Sequence, residues 1–499
     1  MPLCRTCAPK RRFQEVIVSI TIESNLVGGR FSTDATGDPI AVLNPATGDV
    51  VGHVPAMGPV EVDAVIAAAV EGAKVWKKTG QLARGRVLLD AAALIRAESA
   101  DLVEVIIAEM GKTRAEATGE VGKTAEFFEY YGSLGRLPYG ELIPDGRAGT
   151  FALQRHEPIG AVLLVTPWND PLLTPARKMA PALIAGNAVV IKPATETPII
   201  TLRLAGILHR AGLPAGVLGT VTGRGSQIGD VLTADSRFAA VSFTGSTEVG
   251  LALQRRLGGT GVRVQTEMGG KNAAVVLADA DLDLAVPVLM AGAFGQAGQR
   301  CTATSRVIVE RPIADELTRR LTAAVTTLRV GPGGADGVDL GPVVSVAQQH
   351  DIVARVEAGV AGGAEILAKA TVDADLLAAG AFVEPVVLNV DDQNPLWREE
   401  VFGPVLGIRV VDSLDEAIEA VNDSAYGLSS AVFTRSLDAA FRFIDDVDTG
   451  QVSVNQPTSG WDIHQPFGGF KESGSAFKEQ GLEALHFYTR VKTAAVRTH

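Results

Sequence analysis

The sequence predicts an α/β protein whose parallel sheets are covered by helices on both faces. From residue 161 onward, short apolar segments at 161–166 and 188–191 alternate with longer helical patterns such as 172–185. Continuous apolar strands separated by helices are typical of parallel sheets that are buried on both sides. The chain has 499 residues, which is enough for two or three domains. Sheets of this kind bind ligands at the carboxyl ends of their strands.

Other segments extend this pattern. Helical periodicity predicts amphipathic helices at 62–75 and 83–97. Residues 140–158 predict a β-hairpin, because turn residues precede an alternating segment at 151–155. Further buried strands are predicted, in chain order, at 217–221, 239–243, 273–277, 306–309 and 431–433. A second α/β unit is therefore expected from about residue 270 to residue 455.

Charge and composition exclude several classes of protein. Lys plus Arg is 45 and Asp plus Glu is 57, which gives a net charge of −12. This acidic balance argues against a general nucleic-acid binder, which would present a basic face. Hydrophobic residues make up 46% of the chain and charged residues 20%, which excludes a disordered or fibrous protein. The longest apolar runs have the length of a strand, so we expect no membrane-spanning segment.

The chain contains three cysteines, Cys4, Cys7 and Cys301. A secreted disulfide scaffold would carry more, so we expect a cytoplasmic protein. Cys4 and Cys7 have the spacing of half a zinc site, but no second Cys or His pair lies near them in the sequence. No metal site is therefore predicted. Residues 1–19 are expected to be disordered.

Three residues are candidates for chemistry. Cys301 follows a glycine-containing loop that allows close approach of a substrate, and it is either a nucleophile or an inert small residue. Glu267 stands at a strand end before two glycines, where it is either reactive or a capping or surface residue. Asn169 follows the strand at 161–166, where its amide could donate to a developing oxyanion or cap the next helix.

Seven short motifs follow one another along the chain. They are Pro167-Trp168-Asn169, Lys192-Pro193, Phe243-Thr244-Gly245-Ser246, Glu267-Met268-Gly269-Gly270-Lys271, Gly298-Gln299-Arg300-Cys301, Glu400-Val401-Phe402-Gly403-Pro404 and Pro466-Phe467-Gly468-Gly469-Phe470-Lys471. In this order and spacing they resemble the aldehyde dehydrogenase superfamily, from about Ser24 to the C-terminus. Each motif alone is weak, and their combination is specific.

The resemblance implies oxidation of an aldehyde to an acid with a nicotinamide cofactor. Cys301 would attack the aldehyde carbon to give a thiohemiacetal, while Asn169 and the backbone N–H of Cys301 hold the oxyanion. Hydride transfer to the nicotinamide would leave a thioester, and Glu267 would activate the water that hydrolyses it. Lys178 matches a family lysine near the active site; its alternative is a solvated charge on a helix.

The resemblance also implies a dinucleotide site. Lys192 would bind the adenosine ribose, Glu400 the nicotinamide ribose, and Ser246, at a helix N-terminus, the pyrophosphate. Gly225 and Gly229 belong to a G-x-G-x-x-x-G segment expected near the adenine. The full set of predicted cofactor residues is Thr166, Pro167, Trp168, Lys192, Thr195, Gly225, Gly229, Phe243, Gly245, Ser246, Met268, Gly269, Glu400 and Phe402.

Thr195 carries the prediction about which cofactor is used. Family members that prefer NAD commonly have a glutamate three residues after the lysine, where this chain has Thr195. A carboxylate there would repel a 2′-phosphate, whereas a threonine would not. We therefore expect NADP to be accepted and slightly favoured over NAD. The alternative is that Glu196, one position later, restores the discrimination.

Substrate residues are predicted on one helix and in the C-terminal region. Arg177 resembles an arginine of succinic semialdehyde dehydrogenases that binds the substrate carboxylate, and its alternative is a solvated helix residue. The segments at 298–306 and 478–489 look most like those of α-ketoglutaric semialdehyde dehydrogenases. Both likenesses imply a small semialdehyde that carries a carboxylate. Trp461 and Phe467 would place aromatic rings at the pocket mouth, so an aromatic or sugar-derived aldehyde is the alternative.

The implied architecture is a Rossmann-type cofactor domain, an α/β catalytic domain and a small β oligomerisation element. We assign residues 20–139 and 159–268 to the first, 269–465 to the second, and 140–158 with 466–499 to the third. An exposed hairpin edge invites pairing with another subunit. The resemblance implies that this pairing gives a homodimer or a homotetramer. The alternative class is a cofactor-independent thiol acyltransferase or esterase. Such an enzyme would have no cofactor for Lys192 and Glu400 to bind.

Overall fold

A computed structural model describes residues 23–138 and 140–497, so the predicted disordered segment 1–19, with Cys4 and Cys7, lies outside the described residues. Within them the strands are β1 (Asn25–Val27), β2 (Arg30–Ser32), β3 (Gly37–Leu43), β4 (Val50–Ala56), β5 (Gly140–Ile143), β6 (Thr150–Pro158), β7 (Ala161–Val165), β8 (Ala188–Lys192), β9 (Leu218–Thr220), β10 (Phe238–Thr244), β11 (Arg263–Glu267), β12 (Asn272–Val276), β13 (Thr304–Glu310), β14 (Glu365–Lys369), β15 (Val386–Asn389), β16 (Val405–Val411), β17 (Tyr426–Gly427), β18 (Ser429–Phe433), β19 (Gln451–Val454), β20 (Phe470–Lys471) and β21 (Thr489–Arg497).

The helices are α1 (Pro59–Lys78), α2 (Gln81–Ala97), α3 (Ser99–Met110), α4 (Arg114–Ser133), α5 (Leu173–Ala185), α6 (Ile199–Arg210), α7 (Gly225–Thr233), α8 (Thr247–Leu257), α9 (Leu282–Phe294), α10 (Arg311–Val325), α11 (Val346–Ala361), α12 (Ala374–Ala379), α13 (Pro395–Arg398), α14 (Leu414–Asn422), α15 (Leu437–Asp446) and α16 (Glu483–Tyr488). Short 3₁₀ turns occupy Leu134–Arg136 and Gly295–Gly298. None of the helices in the described part of the chain has the length and apolarity needed to cross a bilayer.

The first sheet is parallel and has the strand order β11-β10-β7-β8-β9. Its order reverses at β7, because β8 and β9 lie on one side of that strand and β10 and β11 on the other. The chain segments that leave β7 and β10 therefore turn away from each other and open a crevice at the carboxyl ends of these strands. Asn169 follows β7 and Ser246 follows β10, which places both residues at this crevice.

Alternate residues of the central strands enter two different cores, which explains their continuous apolar sequence. Leu164 and Ile191 face one core with residues of α2 to α6, such as Phe128. Leu163 faces the other core, where Val62 of α1 lies. Burial on both faces leaves no place for polar side chains within β7 and β8 except at their ends, where the site residues stand.

The second sheet has the order β14-β15-β16-β13-β12-β18-β19, and only β14 in this sheet is antiparallel to its neighbour. The segment predicted as a strand at 273–277 forms β12 and belongs here rather than to the first sheet. Its position agrees with the start of the predicted second α/β unit near residue 270. Val275, Ile308 and Trp397 are buried in the single large core around this sheet.

The predicted hairpin at 140–158 forms β5 and β6, and β21 pairs with β6 in a three-stranded antiparallel sheet. In the described part of the predicted element 466–499, only β21 joins this sheet. β20 pairs instead with β17, and α16 packs on α5. Some residues of this predicted element before β21 instead line the cavity described below. The three-stranded sheet itself carries exposed apolar side chains such as Leu142 and Val491.

Candidate active site

A cavity of about 650 Å³ is lined by residues that follow strands of both sheets. Most of the predicted site residues share it: Pro167, Trp168, Asn169, Arg177, Gly245, Ser246, Glu267, Met268, Gly269, Cys301, Glu400, Phe402, Trp461 and Phe467. The other predicted residues lie outside its lining: Thr166, Lys178, Lys192, Thr195, Gly225, Gly229 and Phe243. Residues up to 300 positions apart in the chain thus meet at one place. In the described part of the chain, no group of three or more His, Cys, Asp or Glu side chains is arranged to hold a metal ion.

Cys301 is a free, partly exposed cysteine just before β13. Its carbonyl accepts a hydrogen bond from Asn272 Nδ2 at 2.8 Å, which fixes the backbone at the thiol. Burial raises the pKa of the Cys301 thiol to about 12, and the nearby Arg177 guanidinium opposes that shift. The thiol is therefore protonated at neutral pH and must lose its proton before it can act as a nucleophile.

Asn169 is buried beside Cys301, and its Nδ2 donates to the carbonyl of Gln299 at 3.0 Å. The helix-cap alternative for Asn169 is wrong, because α5 starts after Leu172 and has no side-chain cap. Glu120 instead provides the hydrogen-bond acceptor at the start of that helix. Its Oε1 accepts from the backbone N–H groups of Leu172 and Leu173 at 2.9 and 3.0 Å. The Asn169 amide is thus directed at the Cys301 loop and the cavity.

Glu267 ends β11 and is only 3% exposed, so its alternative as a surface or capping residue is wrong. Neither of its carboxylate oxygens has a hydrogen-bond partner among the described residues. Burial, with a smaller contribution from the Glu479 carboxylate, raises the pKa of Glu267 well above its usual value. A buried carboxyl group with no hydrogen bond, open to a cavity that holds a cysteine, is suited to exchange a proton with water or substrate.

Lys178 is fully buried on α5, so its alternative as a solvated charge is wrong. Its Nζ donates to Ser242 Oγ at 2.8 Å and forms a short ion pair with Glu479. Lys178 is not part of the cavity lining, but its ammonium group and the Glu479 carboxylate both act electrostatically on Glu267. The sequence analysis missed Glu479, although it lies in the 478–489 segment singled out for its resemblance.

Arg177 lies on the cavity wall with a side-chain exposure of 14%, so it is not a solvated helix residue. Its Cζ lies 4.8 Å from the ring centroid of Phe467 and 5.9 Å from that of Phe127. One guanidinium nitrogen is 4.0 Å from Glu479 Oε2, and the Nε has no hydrogen-bond partner in the described structure. Trp461 Nε1, also in the lining, has no such partner either. The wall thus offers hydrogen-bond donors among aromatic rings.

The cavity also reaches the carboxyl ends of β7 and β10, where Pro167 and Thr244 are part of its lining. Thr166 and Thr244 have buried hydroxyl groups without a partner among the described residues. Ser246 is the N-cap of α8 and makes no side-chain cap, so the N–H groups of the first turn remain available. A Cβ at Gly245 would lie 2.5 Å from the Phe243 ring, so the backbone can pass here only as glycine. These features fit an anionic group that accepts hydrogen bonds.

Trp168 and Phe402 join the two domains across the cavity by an edge-to-face contact, with 5.3 Å between ring centroids. Near them, Glu400 Oε1 accepts from the backbone N–H of Gly270 at 2.9 Å. Burial raises the pKa of Glu400 to about 7. A Cβ at Gly269 would lie 2.2 Å from Glu400 Oε2, so this carboxylate packs directly on the backbone.

Beyond the cavity, Lys192 ends β8, and its Nζ donates to the carbonyl of Pro193 at 3.2 Å. Burial lowers the pKa of Lys192, and the exposed Glu196 opposes this. The Glu196 carboxylate is therefore within electrostatic range of the lysine. On α7, Gly225 and Gly229 lie one turn apart and have open space where a Cβ would stand.

Sequence reasoning also missed a buried polar cluster behind the Cys301 loop. Lys112 Nζ lies 2.6 Å from both Glu120 Oε2 and Asp170 Oδ1. The Gln296 amide donates to the same Asp170 oxygen at 2.9 Å. These residues come from distant parts of the chain, and no local pattern marks them. The spacing of Ala115, Gly119, Lys123 and Phe127, one helical turn apart, could have identified α4 as a cavity wall.

Comparison with known proteins agrees with this geometry. Residues 31–494 match the aldehyde dehydrogenase family, and the chain belongs to that family. It is 39% identical to a 2,5-dioxopentanoate dehydrogenase of Saccharolobus solfataricus, over 92% of this chain and 96% of the relative. It is also 39% identical to an α-ketoglutarate semialdehyde dehydrogenase of Haloferax volcanii, over 94% and 98%.

Solved structures give the same result. A betaine aldehyde dehydrogenase from Staphylococcus aureus, in complex with NAD+, superposes with a TM-score of 0.93 at 30% identity. The match covers 98% of this chain and 97% of that protein. The predicted family, the α/β fold and the assignment as an aldehyde-oxidising dehydrogenase are thus confirmed.

Proposed function

We propose that this enzyme oxidises a small semialdehyde that carries a carboxylate, such as α-ketoglutaric or succinic semialdehyde, to the dicarboxylic acid. The observation that carries the proposal is Arg177, whose buried Nε lies on the cavity wall without a hydrogen-bond partner among the described residues. A guanidinium in this position can bind a carboxylate while the aldehyde group reaches Cys301. The two relatives at 39% identity are named for 2,5-dioxopentanoate and α-ketoglutarate semialdehyde, which supports this substrate class.

In the proposed reaction Cys301 loses its proton and attacks the aldehyde carbon, forming a thiohemiacetal. The oxyanion is held by the Asn169 amide and the backbone N–H of Cys301. After oxidation to the thioester, Glu267 takes a proton from water, which attacks the acyl carbon and releases Cys301. Lys178 acts electrostatically on Glu267, since its ammonium group favours the charged form of that carboxyl group and opposes the effect of burial on its pKa.

A nicotinamide dinucleotide would lie along the crevice at β7 and β10 and, when bound, supplies the hydride acceptor. Ser246 and Gly245 would hold the pyrophosphate, with the buried Thr166 and Thr244 hydroxyls as further hydrogen-bond groups. Glu400 would bind the nicotinamide ribose and Lys192 the adenosine ribose. The remaining predicted residues would form the walls: Pro167, Trp168, Thr195, Gly225, Gly229, Phe243, Met268, Gly269 and Phe402.

For the cofactor itself, we propose that NADP is accepted and slightly favoured over NAD. Thr195 brings no charge to the adenosine side of the site, which leaves room for a 2′-phosphate. The carboxylate of Glu196 is exposed and acts electrostatically on Lys192, so it is the group that would oppose this preference.

An aromatic or sugar-derived aldehyde is the second candidate substrate. Phe127, Trp461 and Phe467 all line the cavity, and Trp461 Nε1 has no hydrogen-bond partner in the described structure. These rings would stack on a neutral substrate. Phe127 and Phe467 also lie against the Arg177 guanidinium. A neutral ligand would leave this largely buried cation without a charged partner in the cavity, so the carboxylate is the better match.

We further propose a homodimer or homotetramer in the cytoplasm. The sheet of β5, β6 and β21 carries exposed apolar side chains, including Leu142 and Val491, and its edges can pair with another subunit. The compartment follows from the low number of cysteines in the sequence. Sedimentation velocity of the purified protein tests the oligomeric state.

The experiment that tests the function is a set of initial rates with NAD and NADP. Each cofactor is paired with α-ketoglutaric semialdehyde, succinic semialdehyde, benzaldehyde and a sugar aldehyde. We expect the carboxylated semialdehydes to lead in kcat/KM by more than about tenfold, which corresponds to ~1.4 kcal/mol of transition-state stabilisation. Equal rates with benzaldehyde would reject the carboxylate pocket and favour the aromatic alternative.

A further inference from the structure

The loop before Cys301 has an unusual backbone. Gln296, Ala297 and Gly298 have φ values of 54°, 53° and 71°, so three consecutive residues adopt the left-handed conformation. For residues with a side chain this conformation costs about 1–2 kcal/mol each. Such a segment persists only where the surrounding structure holds it. The turn stands three residues before the thiol, so whatever holds it also sets the position of Cys301.

Three hydrogen bonds hold the backbone N–H and the side chain of Gln296, and its carbonyl accepts two more from Gln299. Its backbone N–H donates to Glu116 Oε1 at 2.6 Å, and its Nε2 donates to Asp170 Oδ1 at 2.9 Å. Its Oε1 accepts a short hydrogen bond from Arg300 Nε. The side chain therefore uses both of its polar atoms, one toward the residue before Cys301 and one toward the residue after Asn169.

The partner of this amide is itself fixed. Asp170 forms an ion pair with the fully buried Lys112, which also pairs with Glu120. Glu120 in turn accepts from the first N–H groups of α5, as described above. A continuous polar chain thus runs from α4 and α5 through Asp170 and Gln296 to Arg300. It connects the group proposed to hold the oxyanion with the group proposed to attack.

We propose that Gln296 is a positioning residue for Cys301. Its side chain spans Asp170 and Arg300 and thereby fixes the distance and direction between the thiol and the Asn169 amide. The inference rests on the proposed role of Cys301 as the nucleophile. Gln296 acts through its neighbours and not by contact with the reacting atoms. A displacement of about 1 Å at such a site can cost about a hundredfold in rate, so loss of the side chain has a large expected effect.

Two variants at this position distinguish the effect of losing the side-chain amide from the effect of the strained backbone. Gln296→Ala removes the amide and keeps the strained conformation, whereas Gln296→Gly removes the amide and relieves the strain. We expect both to lower kcat and the rate of alkylation of Cys301 by iodoacetamide by at least about tenfold. KM and the dissociation constant of the cofactor should change less than about twofold. Gln296→Gly suits the left-handed backbone, so it tests the proposal even where Gln296→Ala folds poorly.

A third variant, Gln296→Glu, provides a rescue. A protonated glutamic acid can donate to Asp170 and accept from Arg300 as the amide does, but its ionised form repels Asp170. The charged groups that face this position are Asp170, Glu116, Glu120, Lys112 and Arg300. The alkylation rate relative to wild type should therefore be near one at low pH and should fall as the pH rises. A ratio that stays near one across the whole pH range would mean that the hydrogen bonds of this side chain do not set the position of the thiol.

The outcomes are distinct. Variants Gln296→Ala and Gln296→Gly that both fold, with kcat and alkylation within about twofold of wild type, would overturn the positioning role. Wild-type protein is tested first: if complete alkylation of Cys301 leaves the dehydrogenase activity intact, the proposed function fails instead. Thermal unfolding and cofactor binding are measured on each variant to show that the alkylation rates being compared are those of folded proteins.

Discussion

Asn169 donates a hydrogen bond from its Nδ2 to the carbonyl of Gln299, over 3.0 Å. This bond links the residue that follows β7 of the first sheet to the loop that carries Cys301. A side-chain amide has two N–H donors, so one can hold the loop while the other remains for the substrate oxygen. In the proposed mechanism one side chain would thus align the thiol and stabilise the charge that the attack of the thiol produces.

Replacement of Asn169 should therefore affect chemistry more than binding. We expect Asn169→Ala to lower kcat by about 10²–10³-fold, the usual loss for one oxyanion donor. The cofactor dissociation constant should stay within about twofold, since the adenosine side of the crevice is untouched. Asn169→Asp keeps the size but lacks both donors, and it should be at least as slow. Steady-state rates and fluorescence titration with reduced cofactor measure both effects.

Glu267 should act after the hydride has been transferred. We expect Glu267→Gln to form the thioester and then stall, because no base remains to activate water. Rapid mixing should show a burst of reduced cofactor close to one per active site, followed by slow turnover. In the wild type, deacylation should speed up with rising pH, since burial and Glu479 raise the pKa of Glu267 and its base form grows with pH. Absence of the burst in Glu267→Gln would place this residue in the first step instead.

The reactivity of Cys301 should depend steeply on pH. Burial raises the pKa of its thiol to about 12, so the thiolate fraction of the free enzyme should increase about tenfold per pH unit between about pH 6 and pH 10. The alkylation rate should follow with the same slope. The peptide that contains Cys301 must be followed by mass spectrometry, since the chain also contains Cys4 and Cys7. A plateau near neutral pH would mean that the thiol is already activated.

Arg177 should discriminate between substrates. We expect Arg177→Met to lower kcat/KM for α-ketoglutaric semialdehyde by at least about tenfold and to leave benzaldehyde within about threefold. Lys123 offers a matched control, because it is another cation in the lining of the same cavity. Lys123→Met removes the same charge and should leave the ratio of the two substrates nearly unchanged. Equal losses for both aldehydes in Arg177→Met would mean that Arg177 acts on the Cys301 thiol or on the fold, and not on the substrate carboxylate.

The cofactor preference should respond to the two residues beside Lys192. We expect Thr195→Glu to shift the ratio of kcat/KM for NADP to that for NAD by at least about tenfold toward NAD, through repulsion of the 2′-phosphate. The matched variant Glu196→Gln removes the nearby carboxylate and should shift the ratio toward NADP. A wild type that uses only NAD, together with a Glu196→Gln variant that gains NADP, would mean that Glu196 sets the preference.

The sequence revealed those parts of the fold that have a local signal. Apolar runs identified the buried strands β7 and β8, and the turn residues with the alternating pattern identified the hairpin that contains β6. These strands therefore lie close to their predicted positions. Residue pairs such as Lys112 with Asp170 left no such signal, because their partners are 58 positions apart and each looks like an ordinary surface charge.

The site is divided between two bodies. Asn169 and Glu267 stand at the ends of strands of the first sheet, whereas Cys301 precedes a strand of the second. In the proposed mechanism catalysis therefore requires both sheets with their flanking helices in contact, because neither part alone holds the complete set of proposed reactive groups. On heating, a slight separation of the two bodies would stop turnover while each sheet is still intact. Loss of activity should accordingly precede loss of the helical circular-dichroism signal, and a ligand that bridges the crevice should bring the two temperatures together.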